Sequence, residues 1–310
     1  MSDTLFTASP HWTWFIIPYF FVGGVAGGAY FVAALLNWFG RPEDRPVIRT
    51  GYSIAFWGAI ISGALLTLDL GRPLRFWHML FQSEHFPTPL FKSWSPISFG
   101  AWGLLLFSAC AGLAILGAWS EEGRLRVPGA QWFQSGTVLA KLVTGLGGLF
   151  GFFLAGYTGV LLSVTNRPIW ADSPWLGALF LASGASTGAA ALALFSRRRN
   201  ASERSIRWLE SFDTQALVVE LILLIVFIAS LGSVAKVWLG FWGFVLLVGV
   251  VGLGILWPIR LRFTPAAAGS GFRNPAVMVL LGGFLLRVTI LLASNSIAVH
   301  HVASGGGPLQ

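Results

Sequence analysis

Two phenols and a carboxylate, Tyr19, Asp69 and Tyr157, sit near the ends of long apolar segments in a chain with little other polar chemistry. Tyr19 and Tyr157 lie within about two helical turns of a segment end and Asp69 at one, so at about 1.5 Å per residue their depths differ by only several ångströms. Groups at one depth can converge on one ligand. Phenols donate hydrogen bonds to carbonyl oxygens, a carboxylate exchanges protons, and an apolar slot accepts a hydrocarbon tail, so the set suits a quinone head group. Tyrosine at a membrane boundary also serves as an ordinary anchoring residue, and that reading stands beside the first.

Asp69 belongs to the run Leu68, Asp69, Leu70, Gly71, Arg72, Pro73, with Arg75 and His78 close behind. A charged rim on an apolar protein marks where something polar docks or reacts. A second group is deeper: Lys141, Asp213, Glu220 and Arg287. Asp213 and Glu220 are seven residues apart and share a helix face. Two readings fit, a structural ion pair such as Glu220 with Arg287, or a proton path. Cysteine and histidine narrow the chemistry further. The single Cys110 is mid-segment, which excludes a disulfide, a thiolate-held iron–sulfur cluster and a zinc knuckle. His11, His78, His85, His300 and His301 all fall outside the apolar segments, so no axial ligand set for a membrane haem is expected, and no metal site is assigned.

The elements that must position these groups are set by composition. Of 310 residues, 55% are hydrophobic and 10% charged, with a mean hydropathy of +0.73. Eight runs are long enough to cross a hydrocarbon core: about 14–39, 51–70, 96–119, 136–164, 175–195, 214–235, 239–257 and 275–299. They are continuous rather than alternating, which predicts helices and not a barrel. The fold expected is therefore an all-α integral membrane protein of eight helices. The net charge of +8 does not gather into a nucleic-acid patch. Instead thirteen Lys and Arg follow odd-numbered segments and five follow even-numbered ones. The positive-inside rule then puts both termini on the outer side. The first basic residue is Arg41, after a full segment, so no cleaved signal is expected. Gly23, Gly24, Gly27 and Gly28 in segment one, and Gly145, Gly147, Gly148 and Gly151 in segment four, predict close helix packing. Residues 71–95 form the long connection and are expected to make a structured outer cap. Two four-helix bundles are expected, 1–167 and 168–310.

Several stretches taken in order resemble the NrfD/polysulfide reductase family of membrane subunits. They are Gly24 to Gly28, Leu68 to Pro73, Ser95 to Trp102, Gly156 to Ser163 with Pro168 and Trp170, Ser183 to Gly188, and Gly282 to Arg287. The resemblance implies a quinone-reactive subunit of a respiratory oxidoreductase complex in a bacterial or archaeal cytoplasmic membrane. It implies menaquinone or ubiquinone as the cofactor, with no haem or iron–sulfur cluster in this chain. A ferredoxin-like iron–sulfur subunit would dock on the outer face, with a catalytic subunit beyond it, often a molybdopterin enzyme. By position, Tyr157 matches the family's quinone-contacting tyrosine, Asp69 and Arg72 its acidic and basic residues near the site, and Tyr19 a place where some relatives carry another polar residue. Arg72 would then stabilise negative charge developing on the ring, or pair with Asp69. The competing expectation is a secondary transporter or ion channel built on Lys141, Asp213, Glu220 and Arg287.

Overall fold

The computed structural model describes residues 14–263 and 274–303, with side chains of the last segment through Ile297. His11 and the side chains of His300 and His301 lie outside the described residues. Among the described residues, eight helices are long and apolar enough to cross a membrane. They are α1 (Ile16–Phe39), α2 (Arg45–Asp69), α3 (Pro96–Glu121), α4 (Val138–Ser163), α5 (Leu176–Arg197), α6 (Glu203–Ser230), α7 (Phe241–Arg262) and α8 (Pro275–Ala303). Taken as successive spans they alternate in direction. One end of the molecule therefore carries the long 70–95 connection, and the opposite end the arginine-rich connections. The chain is thus an all-helical, multi-pass membrane protein.

Two helices begin earlier than hydropathy indicates. α2 starts at Arg45 rather than near 51, with Pro46 in its first turn, where a missing N–H costs nothing. Its Arg49 ties back to Glu121 and Glu122 at the end of α3 at 2.9 and 3.5 Å. α6 starts at Glu203 rather than near 214, because Ser202 caps it by accepting from the Ser205 amide, and Glu203 suits the positive end of the helix. Ser205 donates to the buried Asp44 at 2.5 Å, which pins the first connection to α6. Both helices carry polar opening turns beyond their apolar stretch. α7 is continuous but winds as a π-helix over Val245–Leu256.

The 70–95 connection is ordered by its own bonds. A short 3₁₀ helix, Pro73–Met79, leads into an isolated bridge between Phe81 and Pro89. Leu90 donates to the Leu80 carbonyl at 2.7 Å, and Trp102 of α3 donates its indole N–H to the Leu90 carbonyl at 3.0 Å. The segment is thus fastened to the start of α3.

α1 and α5 hold the assembly together. α1 packs on α2, α4 and α5, while α5 packs on α1, α4, α6 and α8; α3 sits against α2 and α4, and α7 against α8. In lipid there is little hydrophobic drive between helices, so closeness of backbones decides the packing. Glycines of α1 supply it on two faces. A Cβ on Gly27 would lie 2.4 Å from the Gly151 carbonyl oxygen of α4, and one on Gly28 would lie 2.0 Å from the Gly184 carbonyl oxygen of α5. Apolar side chains fill two clusters around this axis. One draws on the second half of α1 with α2, α3, α4 and the arginine-rich ends of α5 and α6; the other draws on the start of α1 with α5, α6, α7, α8 and Leu162 of α4.

Substitution at these contacts has a defined cost. Gly28→Ala should destabilise the purified protein by about 1–3 kcal/mol, the usual range for overpacking a tight contact. Gly63→Ala, whose Cβ meets nothing within 4 Å, should leave the stability within about 0.5 kcal/mol of the parent. Equal thermal midpoints for all three proteins would contradict the packing described.

Candidate functional site

The long-loop end holds the tyrosine pair. Tyr157 is on α4, six residues from its end and 6% exposed. Its hydroxyl donates to the Pro96 carbonyl at 2.7 Å, in the first turn of α3. Gly100, one turn further, makes the room: a Cβ there would sit 2.1 Å from that hydroxyl. Ser95 caps the same turn by accepting from the Ser98 amide at 3.3 Å. The run Ser95 to Gly100 is therefore a seat for the Tyr157 phenol. Phe153 packs beside the ring at 5.2 Å between centroids.

Tyr19 lies in the first turn of α1 and is fully enclosed. It is within electrostatic reach of Tyr157, and its ring lies 3.7 Å from where a Cβ on Gly23 would be. Ser62 Oγ of α2 lies 3.6 Å from the same point, buried and with no hydrogen-bond partner among the described residues. Two buried phenols and an unpartnered hydroxyl are thus grouped around the start of α1. Asp69, the last residue of α2, is half-buried at this end, and Arg72, which opens the 3₁₀ helix, is exposed on its rim. The residues expected at one depth do share one end of the protein, and the two tyrosines are brought into reach of each other.

The deeper charges divide. Asp213, Glu220 and Arg287 form a buried polar column between α5, α6, α7 and α8. At its arginine-rich end, Arg262 of α7 pairs with Asp213 and also donates to Thr214 Oγ1 at 2.8 Å and the Glu210 carbonyl at 3.1 Å. Two turns along α6, Glu220 accepts from Ser186 Oγ at 2.9 Å, with Ser183 also within hydrogen-bonding reach. Arg287 then donates to Ser183 Oγ at 2.9 Å, the Gly283 carbonyl at 2.7 Å and the Phe20 carbonyl at 3.1 Å. Its guanidinium lies over Phe180 and Phe21, at 5.2 and 5.8 Å from the ring centroids. Its second amine, Nη2, faces Gly24 without a hydrogen-bond partner among the described residues. Serines therefore stand between Glu220 and Arg287, where a direct ion pair was one expectation. Further up α8, Asn295 accepts from the buried Arg167 at 2.7 Å, and the Trp170 ring centroid lies 5.5 Å from that guanidinium. Burial lowers the basicity of Arg167 below the ordinary guanidinium value.

Lys141 does not join the column. It is exposed at the start of α4 and lines a separate cavity with Arg41, Arg45 and Arg49. Sequence reasoning missed Arg262, Ser183 and Ser186 as partners. Arg262 was counted among loop cations, although its place in the last turn of α7 opposite Asp213 was the available signal. The serines stood out in the sequence only as part of the Ser183 to Gly188 stretch that carries the family resemblance, with no role assigned to them. Among the described residues, no group of three or more His, Cys, Asp or Glu could hold a metal ion.

An eight-span helical protein with buried phenols at one end and a buried ionisable column through its middle belongs to the class of multi-pass membrane subunits. The model of the family described as polysulphide reductase, NrfD, matches residues 5–298, and the chain belongs to that family. It is 29% identical to a protein named NrfD homolog from Haemophilus influenzae, covering 92% of this chain and 94% of that one. It is equally 29% identical to protein NrfD of Escherichia coli, over 90% and 92% of the two chains. A polysulfide reductase subunit from Wolinella succinogenes is also 29% identical, over 92% of this chain and 94% of its own length.

Proposed function

We infer that this chain is the quinone-reactive membrane subunit of a respiratory oxidoreductase complex, exchanging electrons between the membrane quinone pool and an iron–sulfur subunit docked at its long-loop end. The observation that carries the reading is the pair of enclosed phenols, Tyr19 and Tyr157, with the orphaned Ser62 hydroxyl beside them. These groups fit a quinone. The ring supplies a two-electron carrier with two carbonyl oxygens; the protein supplies hydrogen-bond donors in a water-poor setting. Tyr157, whose O–H is held by the Pro96 carbonyl in this structure, would turn it to one quinone carbonyl on binding, and Asp69 on the rim would hold and release the proton that accompanies each electron.

The surroundings support a partner at this end. Leu74, Phe86 and Trp94 are exposed on the 70–95 connection close in sequence to Arg72, Arg75 and Lys92. Large apolar side chains interleaved with charge suit a protein interface. The distribution of Lys and Arg favours this end, with both termini, on the outer side of a bacterial or archaeal cytoplasmic membrane. By analogy with the relative named as a polysulfide reductase subunit, the complex would include a catalytic subunit, often of the molybdopterin type. A division into two bundles, α1 to α4 and α5 to α8, would leave α5 shared between them, because it packs on α1 and α4 as well as on α6 and α8. The column from Arg262 to Arg287 would serve as part of a proton path.

Purification through a tag on this protein should bring down an iron–sulfur protein whose clusters are reduced by added quinol or oxidised by added quinone. Isolation of the protein unaccompanied, transporting a solute or ion with no response to quinone, would favour the transporter reading.

A further inference from the structure

The arginine-rich end contains a cavity that the proposed quinone and proton chemistry leaves unused. It has a volume of about 270 Å³ between the end of α1, the start of α2, the end of α3 and the start of α4. Arg41, Arg45, Arg49 and Lys141 line it, with Glu121 as an opposing carboxylate. Glu121 is already engaged, holding Arg49 at 2.9 Å and accepting from Ser135. Among the described residues, no carboxylate pairs with the side chains of Arg41, Arg45 or Lys141. Behind them the wall is mixed, with Leu36, Ile48 and Phe133 beside three polar groups: the Tyr52 and Thr144 hydroxyls lie 2.9 Å apart, and Asn37 donates to Thr144 at 3.2 Å.

Three cations without carboxylate partners around one recess are repelled by each other and attract an anion. The flanks of the recess say which kind. Trp38 of α1 and Val138 and Leu142 of α4 are exposed beside it, and Trp38 covers the α4 backbone at Gly145, 3.1 Å from a Cβ position there. Trp38 is one turn from Arg41 along the chain, and Val138 and Leu142 flank Lys141 on α4. A ligand with a phosphodiester at the boundary and hydrocarbon chains running along α1 and α4 meets both halves of this surface.

We propose that the cavity binds the head group of an anionic phospholipid, with the phosphate among Arg41, Arg45 and Lys141 and an acyl chain against Trp38 and Leu142. Hydrogen bonds from Tyr52, Thr144 or Asn37 would meet a glycerol-type head group. The lipid would then add to the direct polar contacts that already brace α1 against α4 at this end, Asn37 with Thr144 and Tyr30 with the Val143 carbonyl. Basic pockets between spans act this way because each cation near the boundary adds about 1 kcal/mol of attraction for anionic lipid.

The test uses the intact complex and phosphatidylglycerol as the probe. The complex is exchanged into phosphatidylcholine discs containing phosphatidylglycerol, washed, and analysed for retained lipid. R45Q and K141Q should each lower retained phosphatidylglycerol about fivefold, while R198Q/R199Q, which removes charge from the same end outside the cavity, should retain as much as the parent. Excess inorganic phosphate should fail to displace the lipid. Independently of any variant, the parent complex should unfold at a higher temperature in discs containing phosphatidylglycerol than in pure phosphatidylcholine. Equal retention by R45Q, K141Q and the parent, or no thermal shift between the two discs, would overturn the site. Displacement by inorganic phosphate would overturn the lipid assignment in favour of a small anion. None of these readouts depends on quinone turnover.

Discussion

Tyr157→Phe is expected to lower quinone-linked turnover of the complex by about a hundredfold, the lower range of what a positioned proton-donating group contributes. The fold should survive, because the substitution deletes one oxygen and leaves the ring against Phe153. What is lost structurally is the single hydrogen bond to the Pro96 carbonyl, about 1 kcal/mol. That carbonyl belongs to the first turn of α3 and retains its place in the helix. The two readings of this tyrosine therefore separate cleanly. If it only clamps α3 to α4, turnover should follow the small loss of stability and remain near normal. If it meets the quinone, turnover should collapse in a protein that assembles and unfolds almost as the parent does. Asp69→Asn provides the second arm. It keeps the size of the side chain at the half-buried end of α2 but removes its exchangeable proton. Its loss of turnover should be of similar size, with partner subunits still bound. Normal turnover in both variants would end the assignment of the site to this end of the protein.

Removing the charge of Arg287 should produce the largest change in stability. The guanidinium is completely enclosed near the middle of α8, and Glu220 is 2% exposed on the facing helix. Each makes the other tolerable through the bridging serines. Arg287→Met fills similar space, strips Ser183 and the Phe20 carbonyl of their donor, and leaves Glu220 without its counter-charge. Breaking a buried pair from one side costs about 3–5 kcal/mol, so the thermal midpoint of the purified protein should fall steeply. Glu220→Gln added to Arg287→Met should recover a substantial part of the loss, because it removes the stranded carboxylate. A double variant no more stable than Arg287→Met would show that the two residues are not coupled. Glu220→Gln alone also tests the proton path: quinone-linked proton uptake into sealed vesicles should fall while electron transfer persists. Uptake equal to the parent would leave the column a purely structural device.

The number of spans was legible because each is a long run of apolar residues with charge confined to its ends. The starts of α2 and α6 were not, since Arg45, Arg49 and Glu203 to Asp213 lower the local hydropathy of turns that are nevertheless helical. Caps and cross-helix bonds, such as Ser202 with Ser205 and Arg49 with Glu121, decide those boundaries. At the site, the shared end of Tyr19, Asp69 and Tyr157 followed from counting residues along alternating spans. The seat for Tyr157 did not, because the partner is a backbone carbonyl and the decisive residue, Gly100, contributes only space. The same holds for the column: Asp213 and Glu220 declared themselves by charge, but their partners on α5 and α7 depend on which helices are neighbours. Lys141 was misleading for the converse reason, since residue spacing gives depth and says nothing of which way a helix faces.

The glycine contacts of α1 carry a consequence for biogenesis. α1 precedes α4 and α5 in the chain, yet its Gly27 and Gly28 faces fit the backbones of those later helices. Until those are made, α2 is the one final neighbour of α1, among the described helices, already in place, and the notched surface of α1 is covered by lipid chains. Such distant pairings are slow to form. A ribosome stalled after α3 would leave an inserted but unassembled intermediate, a natural substrate for membrane quality-control proteases. Completion of α5 is then the event that converts a string of inserted helices into a protected core.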